Sequence, residues 1–267
     1  MRGAIRYLSR GCLVEVSDLA PTDMLLDHLR LRRGLVGTKE GCGEGDCGAC
    51  TVALGRLVDG RLVYEPICAC IRPTVTVDGC ELVTIEDLAT EGALHPIQEA
   101  MVRRHAAQCG FCTPGIVMCL FTLWTEERSV DREAVVDRLA GNLCRCTGYR
   151  PIVDAALDAC GARADDRPPE AFRAHAARSA AALAELDDGE DLFLGDADRF
   201  FAAPRRLETL LDLTEAFPDA TLLGGATDVG LWVTKGGRDI ARVIHLGHVE
   251  GLSSVEEGAD AIEIGAA

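Results

Sequence analysis

Between Gly41 and Val52 the sequence reads GCGEGDCGACTV, with three cysteines and four glycines in twelve residues. Thiolates are soft ligands that suit zinc and iron–sulfur clusters. Cys42, Cys47 and Cys50 stand in a C-x4-C-x2-C spacing, and Cys68 and Cys70 follow in PICAC. That spacing, completed by one more cysteine, is the plant-type arrangement for a 2Fe–2S cluster. A structural zinc site more commonly pairs its cysteines two to four apart on each side, so the first set points to iron–sulfur chemistry. The glycines agree, because they let backbone N–H groups approach the sulfurs, and such hydrogen bonds help to set a cluster's potential. Spacing leaves the fourth ligand open between Cys68 and Cys70.

A second set comprises Cys109 and Cys112 in QCGFCTPG, and Cys144 and Cys146 in NLCRCTGYRPI. The pairs are C-x2-C and C-x-C, about two helices apart, and each sits at a turn or helix end. A helical hairpin would bring all four together. On spacing alone a four-cysteine zinc site and a 2Fe–2S cluster compete, with the C-x-C step favouring iron. Cys12, Cys68, Cys80, Cys119 and Cys160 are expected by default to be small buried hydrophobes.

The composition bounds what such sites can serve. The chain has 267 residues and 13 cysteines, none of them after Cys160, which divides it into a cysteine-bearing half and a cysteine-free half. With 48% hydrophobic residues it can bury a core. Acidic residues outnumber basic ones 43 to 27, a formal charge of −16, which argues against a nucleic-acid partner. No leader peptide is recognisable at the N-terminus and no run of 18 apolar residues occurs, so the expectation is a cytoplasmic protein with no membrane span. In a reducing compartment, thiols serve as metal ligands or core residues rather than disulfides.

The elements that must position the cysteines follow from periodicity. AIRYL, LVEV, TVALGRLV and RLVYEPI read as strands, and PTDMLLDHLRLR places Leu25, Leu26 and Leu29 on one helical face. A small α+β domain is expected over 1–83. From Ile85 the pattern turns helical: LHPIQEAMVRRHAA, TPGIVMCLFTLWTEE, SVDREAVVDRLAGN and PIVDAALDACGA predict four helices within 84–160. His95 and His105 are expected as surface or capping residues there. Residues 161–190, with ARADDRPPE and an Ala-rich stretch, read as a partly helical linker. A third pattern, expected over 191–267, contains a helix in RRLETLLDLTEAFPDA, a strand and glycine turn in TLLGGATDVG, and strands in ARVIHLG and AIEIGAA.

Taken together, TKEGCGEGDCGACTV, QCGFCTPG and GNLCRCTGYRPI, in that order, resemble the iron–sulfur half of the molybdenum hydroxylases, a family that includes xanthine dehydrogenases, aldehyde oxidases and carbon monoxide dehydrogenases. The resemblance implies an α+β chain: a β-grasp plant-type 2Fe–2S ferredoxin domain, then a four-helix 2Fe–2S domain, then the N-terminal part of an α+β FAD-binding domain. It implies Cys70 as the fourth ligand of the first set, because ACI at Ala69–Ile71 and TIE at Thr84–Glu86 keep the family register. It implies that Gln108 touches the pterin cofactor of a partner. By the same resemblance, Leu222, Leu223, Gly224, Gly225, Ala226, Thr227, Asp228 and Val229 form the turn that cradles FAD pyrophosphate, although this is not a Rossmann fingerprint.

The order of the three segments resembles the small subunit of bacterial xanthine dehydrogenases. That implies a molybdenum–pterin large subunit as partner, a heterotetramer, and NAD as electron acceptor during hypoxanthine and xanthine oxidation. Another molybdenum hydroxylase, acting on an aldehyde or N-heterocycle, or a stand-alone ferredoxin-like carrier, are the alternatives. No side chain of this chain is expected to act as catalytic acid, base or nucleophile. The family's FAD domain extends further, so 191–267 is expected to be its incomplete start.

Overall fold

The computed structural model describes residues 1–89, 92–126, 129–161 and 168–267. Positions 162–167 of the expected linker, and Glu127 at the end of the second predicted helix of the helical region, lie outside the described residues.

The architecture is α+β. Strands β1 (Ile5–Ser9) and β2 (Cys12–Val16) form an antiparallel hairpin. β3 (Thr51–Val58) and β4 (Arg61–Cys68) form a longer one, pairing Thr51 with Cys68 and Val58 with Arg61. β5 (Glu81–Val83) joins the two, antiparallel to β3 and parallel to β1, which gives the five-stranded order β2-β1-β5-β3-β4. The predicted helical segment after β2 is a short helix α1 (Leu25–Asp27) running into a π-helical turn, His28–Arg32, and Leu25, Leu26 and Leu29 are buried as their spacing predicts. This segment precedes the loop that carries Cys42, Cys47 and Cys50.

The helical region opens with α2 (Ile85–Leu88), where Thr84 and Asp87 make a capping box. It continues through α3 (Pro96–Arg103), α4 (Thr113–Thr125), α5 (Arg132–Arg138) and α6 (Arg150–Gly161). Every residue of α4 from Gly115 to Trp124 is buried, as a helix that is apolar all round requires. It lies between β3 and β4 on one side and α3, α5 and α6 on the other.

The segment expected as a linker carries a 17-residue helix, α7 (Glu170–Leu186), which is docked on the first sheet rather than free. Two features hold it. Phe172 enters a cluster with Tyr64, Phe121 and Trp124. Ser179 Oγ donates to buried Glu81 at 2.9 Å, alongside Tyr64 Oη at 2.6 Å. Burial would raise the Glu81 carboxyl, but hydrogen bonds from His175, Tyr64 and Ser179 hold it below the usual carboxylate range. Weak periodicity in an Ala-rich sequence conceals this docking, because two side chains and one buried acid do the anchoring.

The third part begins with a hairpin that the periodicity reading passed over, β6 (Leu192–Gly195) and β7 (Phe200–Ala203). After α8 (Leu207–Ala216), strand β8 (Thr221–Leu223) leads into α9 (Thr227–Thr234) and then β9 (Arg242–His245). The sheet order is β6-β7-β9-β8, with β9 parallel to both neighbours. A separate hairpin pairs β10 (Val255–Glu257) with β11 (Ile262–Ile264). One apolar cluster runs from Ile5, Leu25 and Val52 through Leu192 and Phe201 to Leu223 and Val243, so the first and third parts share a core.

Candidate functional site

The loop after the π-helical turn wraps its sulfurs with backbone N–H groups. Those of Glu44 and Cys47 each point at Cys42 Sγ at 3.4 Å, and that of Gly45 points at Cys70 Sγ at 3.3 Å. A positive φ of 80° at Gly45 makes this possible, and a Cβ there would lie 2.6 Å from Ile71 Cδ1. Burial opposes ionisation of Cys42, yet the N–H groups of Glu44 and Cys47 outweigh it and bring the thiol down to about 7. That is the environment a thiolate ligand needs.

Cys68 and Cys70 both meet Gly45, and the Ala69 N–H between them donates to Cys50 O at 3.3 Å. The Cys50 thiol is pushed up to about 12, first by its hydrogen bond to Cys68. Cys70 is raised by its bond to Cys50 and by burial, whereas Cys68 is lowered by its bond to Cys50. That order depends on the Cys50 proton, which a bound metal displaces. The fixed backbone dipoles point the other way: Cys70 Sγ receives the Gly45 N–H, while Cys68 Sγ faces the Gly45 carbonyl at 3.5 Å. An N–H stabilises a thiolate and a carbonyl stabilises a thiol, so the dipoles favour the thiolate form at Cys70 over Cys68. Cys68 is half-buried beside these sulfurs and not an ordinary core residue; Cys12 is exposed, whereas Cys80, Cys119 and Cys160 are buried as expected.

The second set sits at helix ends. Cys109 is exposed in the turn after α3, Cys112 precedes α4, and Cys144 and exposed Cys146 lie in the turn before α6. Burial, then the neighbouring Cys144, pushes the Cys112 thiol up to about 12. Burial also acts on Cys144, but the Thr147 hydroxyl and N–H win and lower it. Tyr149 Oη accepts the Cys144 N–H at 2.7 Å, which fixes the turn.

Among the described residues, no group of three or more His, Cys, Asp or Glu side chains is arranged to hold a single metal ion. The sulfurs instead act on one another in smaller groups, Cys42 with Cys47, Cys50 with Cys68 and Cys70, and Cys112 with Cys144. A cluster of two irons held by four cysteines takes its ligands two to each iron, and this chemistry fits the donor set.

The two cysteine loops touch directly. Leu143 N donates to Cys47 O at 2.9 Å, and buried Asn142 donates through Nδ2 to Gly48 O at 3.0 Å and Thr51 Oγ1 at 3.1 Å. Gly48, with φ +67°, leaves no room: a Cβ would lie 2.4 Å from Gly141 O. Asn142, Thr147 and Tyr149 are site residues that sequence reasoning missed, although all three stand inside or beside the quoted CRC motif. Nothing in their type separates them from turn residues.

The glycine turn of the third part connects β8 to α9. Leu223 is buried, Leu222 is exposed, and Gly224 and Gly225 have open space where a Cβ would stand. Ala226 is left-handed at φ 67°, and Thr227 and Asp228 open α9, so unpaired N–H groups of the first turn accompany an accessible backbone. Such a nest suits a pyrophosphate. His245 lies beneath the turn, its ring pushed to about 3 by burial and then by the neighbouring His248. Val229 faces the shared core. On the next turn, Gly230 meets the first cysteine loop: a Cβ would lie 2.1 Å from Ile71 O. Arg72 Nη1 donates to Gly225 O at 3.4 Å, and Lys235 pairs with Glu44.

Gln108 is exposed beside Cys109, as are Phe111 three residues on and Leu143 next to Cys144. His105 is exposed, whereas His95 does cap α3 but is also packed between Phe121 and Trp124.

Two family models match the chain: a 2Fe–2S binding domain over residues 84–157, and the FAD binding domain in molybdopterin dehydrogenase over residues 197–267. Xanthine dehydrogenase/oxidase of Mus musculus is 32% identical over 98% of this chain, which spans 22% of that protein. Aldehyde oxidase 1 of Cavia porcellus is 43% identical over 58% of this chain and 12% of its own length. Quinoline 2-oxidoreductase from Pseudomonas putida 86 matches in structure with a TM-score of 0.50 and 33% identity, over 68% of this chain and 96% of that one.

Proposed function

This chain belongs to the molybdenum hydroxylase family as an iron–sulfur and FAD protein, and on that footing we propose that it is the electron-transfer small subunit of a xanthine dehydrogenase. Its two 2Fe–2S clusters and FAD, when bound, supply a relay that carries electrons one at a time from a partner's molybdenum–pterin site and delivers them as a hydride to NAD. The residues assigned to the partner-proximal cluster are Cys109, Cys112, Cys144 and Cys146; those of the flavin-proximal cluster are Cys42, Cys47, Cys50 and Cys70. Leu222–Val229 hold the pyrophosphate of FAD, and the ferredoxin part is read as a β-grasp domain.

The observation that carries this reading is that the three segments touch in series. Leu143 of the second set is bonded to Cys47 of the first, and Gly230 of the flavin segment abuts Ile71, next to Cys70. A chain that must pass electrons needs such rigid spacing, since it contributes placement and electrostatics while the cofactors carry the chemistry. The exposure of Cys109, Cys146, Phe111 and Leu143 supports docking of the molybdenum-bearing partner at this end, with Gln108 at the interface and a cytoplasmic heterotetramer as the assembly.

Iron, acid-labile sulfide and zinc are the first quantities to determine, with EPR after dithionite reduction. About four irons per chain and two distinguishable signals are expected from two four-cysteine sites; zinc, or about two irons, would sink one of the assignments. The similarity to aldehyde oxidase and quinoline oxidoreductase favours a second reading, in which the partner acts on an aldehyde or N-heterocycle. Uric acid formation from xanthine by the assembled, molybdenum-loaded complex separates the two.

A further inference from the structure

Cys68 has no role in the eight-cysteine scheme, yet it stands within reach of the first site. The N–H of Ala69 is bonded to Cys50 O at 3.3 Å, so Cys68 and Cys70 flank the point where the chain is pinned beside Cys50. Both sulfurs meet one residue of the loop, Cys70 the N–H of Gly45 at 3.3 Å and Cys68 its carbonyl at 3.5 Å. The pairing of Thr51 with Cys68 fixes the strand end in this register.

We propose that Cys68 is a substitute ligand: its thiol donates to the Gly45 carbonyl, and it takes over the iron position of Cys70 when that sulfur is lost or displaced. The proposal rests on the cluster reading above. In the exchange the iron–sulfur bond moves from Cys70 to Cys68, and the Cys68 proton passes to the departing Cys70 thiolate. No electron is gained or lost. The carbonyl that faces Cys68 explains why it is the reserve and Cys70 the resting ligand, because only the Cys70 sulfur is met by an N–H donor.

Three variants test this: Cys68→Ala, Cys70→Ala and the double substitution, each assayed for iron and sulfide per chain and by EPR after reduction. Cys68→Ala should match the unsubstituted chain in iron and spectrum. Cys70→Ala should keep its iron but show an altered signal from the first site, and the double variant should lose about two irons per chain. Loss of those irons from Cys70→Ala as complete as from the double variant would overturn the proposal. If Cys70→Ala does not fold, Cys70→Ser takes its place; adding Cys68→Ala must then remove the irons, and their retention would show serine to be the ligand and defeat the idea. Zinc, or fewer than about four irons, in the unsubstituted chain would count against the cluster reading itself.

Discussion

Asn142 shows how much a single side chain can decide. It is 4% exposed, and its amide ties the second cysteine loop to the first through Gly48 O and Thr51 Oγ1. Gly48 O keeps bonds from Thr51 N and Thr51 Oγ1 without it, so Asn142→Ala should cost only about 1–2 kcal/mol. Asn142→Asp should cost more, about 3 kcal/mol, because it buries a charge against a carbonyl that cannot donate to it. Urea midpoints of the two variants check this, and an Asp variant as stable as the Ala variant would show that the donor is not what matters. The type of this residue was legible in the sequence but its role was not, since a polar residue before C-x-C reads equally well as an exposed turn position.

Helix α9 is the element that brings the flavin segment to the first cysteine loop, and Gly230 is its closest approach. In an isolated helix Ala is favoured over Gly by about 1 kcal/mol, so propensity alone predicts that Gly230→Ala stabilises the chain. The contact predicts the reverse: a Cβ would stand 2.1 Å from Ile71 O, which is backbone, and overpacking of this kind costs about 1–3 kcal/mol. Hydrogen exchange should show lost protection across Thr227–Thr234, with α4 unchanged and the iron content retained. A gain in melting temperature would mean that propensity wins and α9 is not pressed on the loop. The strand and helix of this segment follow the sequence pattern, whereas the docking of α9, like that of α7, rests on contacts between residues far apart in the chain.

Over the whole molecule, buried His28 and His245 and half-buried His95 are held neutral by desolvation. Burial lowers His28 to about 4, His95 to about 4 and His245 to about 3, each from an ordinary value of 6.5. The folded-state values lie below the unfolded ones, so between pH 6.5 and 4 the unfolded chain binds more protons. Stability is therefore complete above pH 6.5 and is lost as pH falls through that window, at about 1.4 kcal/mol per pH unit for each histidine. His95→Asn keeps a side-chain acceptor at the start of α3 and should remove one proton from this slope. Urea denaturation at several pH values between 6.5 and 4 measures it; equal slopes for parent and variant would contradict the assignment to His95.

The sequence by itself determined the family. Seven cysteines in C-x4-C-x2-C, C-x2-C and C-x-C spacings, with glycines among the first three, point to two thiolate sites because ligand spacing is a local property. It also determined most strands and helices, since alternation and 3.6-residue periodicity are local as well. Tertiary structure decided the rest. The Ala-rich stretch 170–186 became a docked helix because Glu81, Tyr64 and Phe121, distant in sequence, receive it. The hairpin β6–β7 formed where its partner strand β9 lay some forty residues on. The proposed preference for Cys70 over Cys68 rests on the orientation of one peptide at Gly45, and no spacing rule can express the direction of a dipole that the fold alone sets.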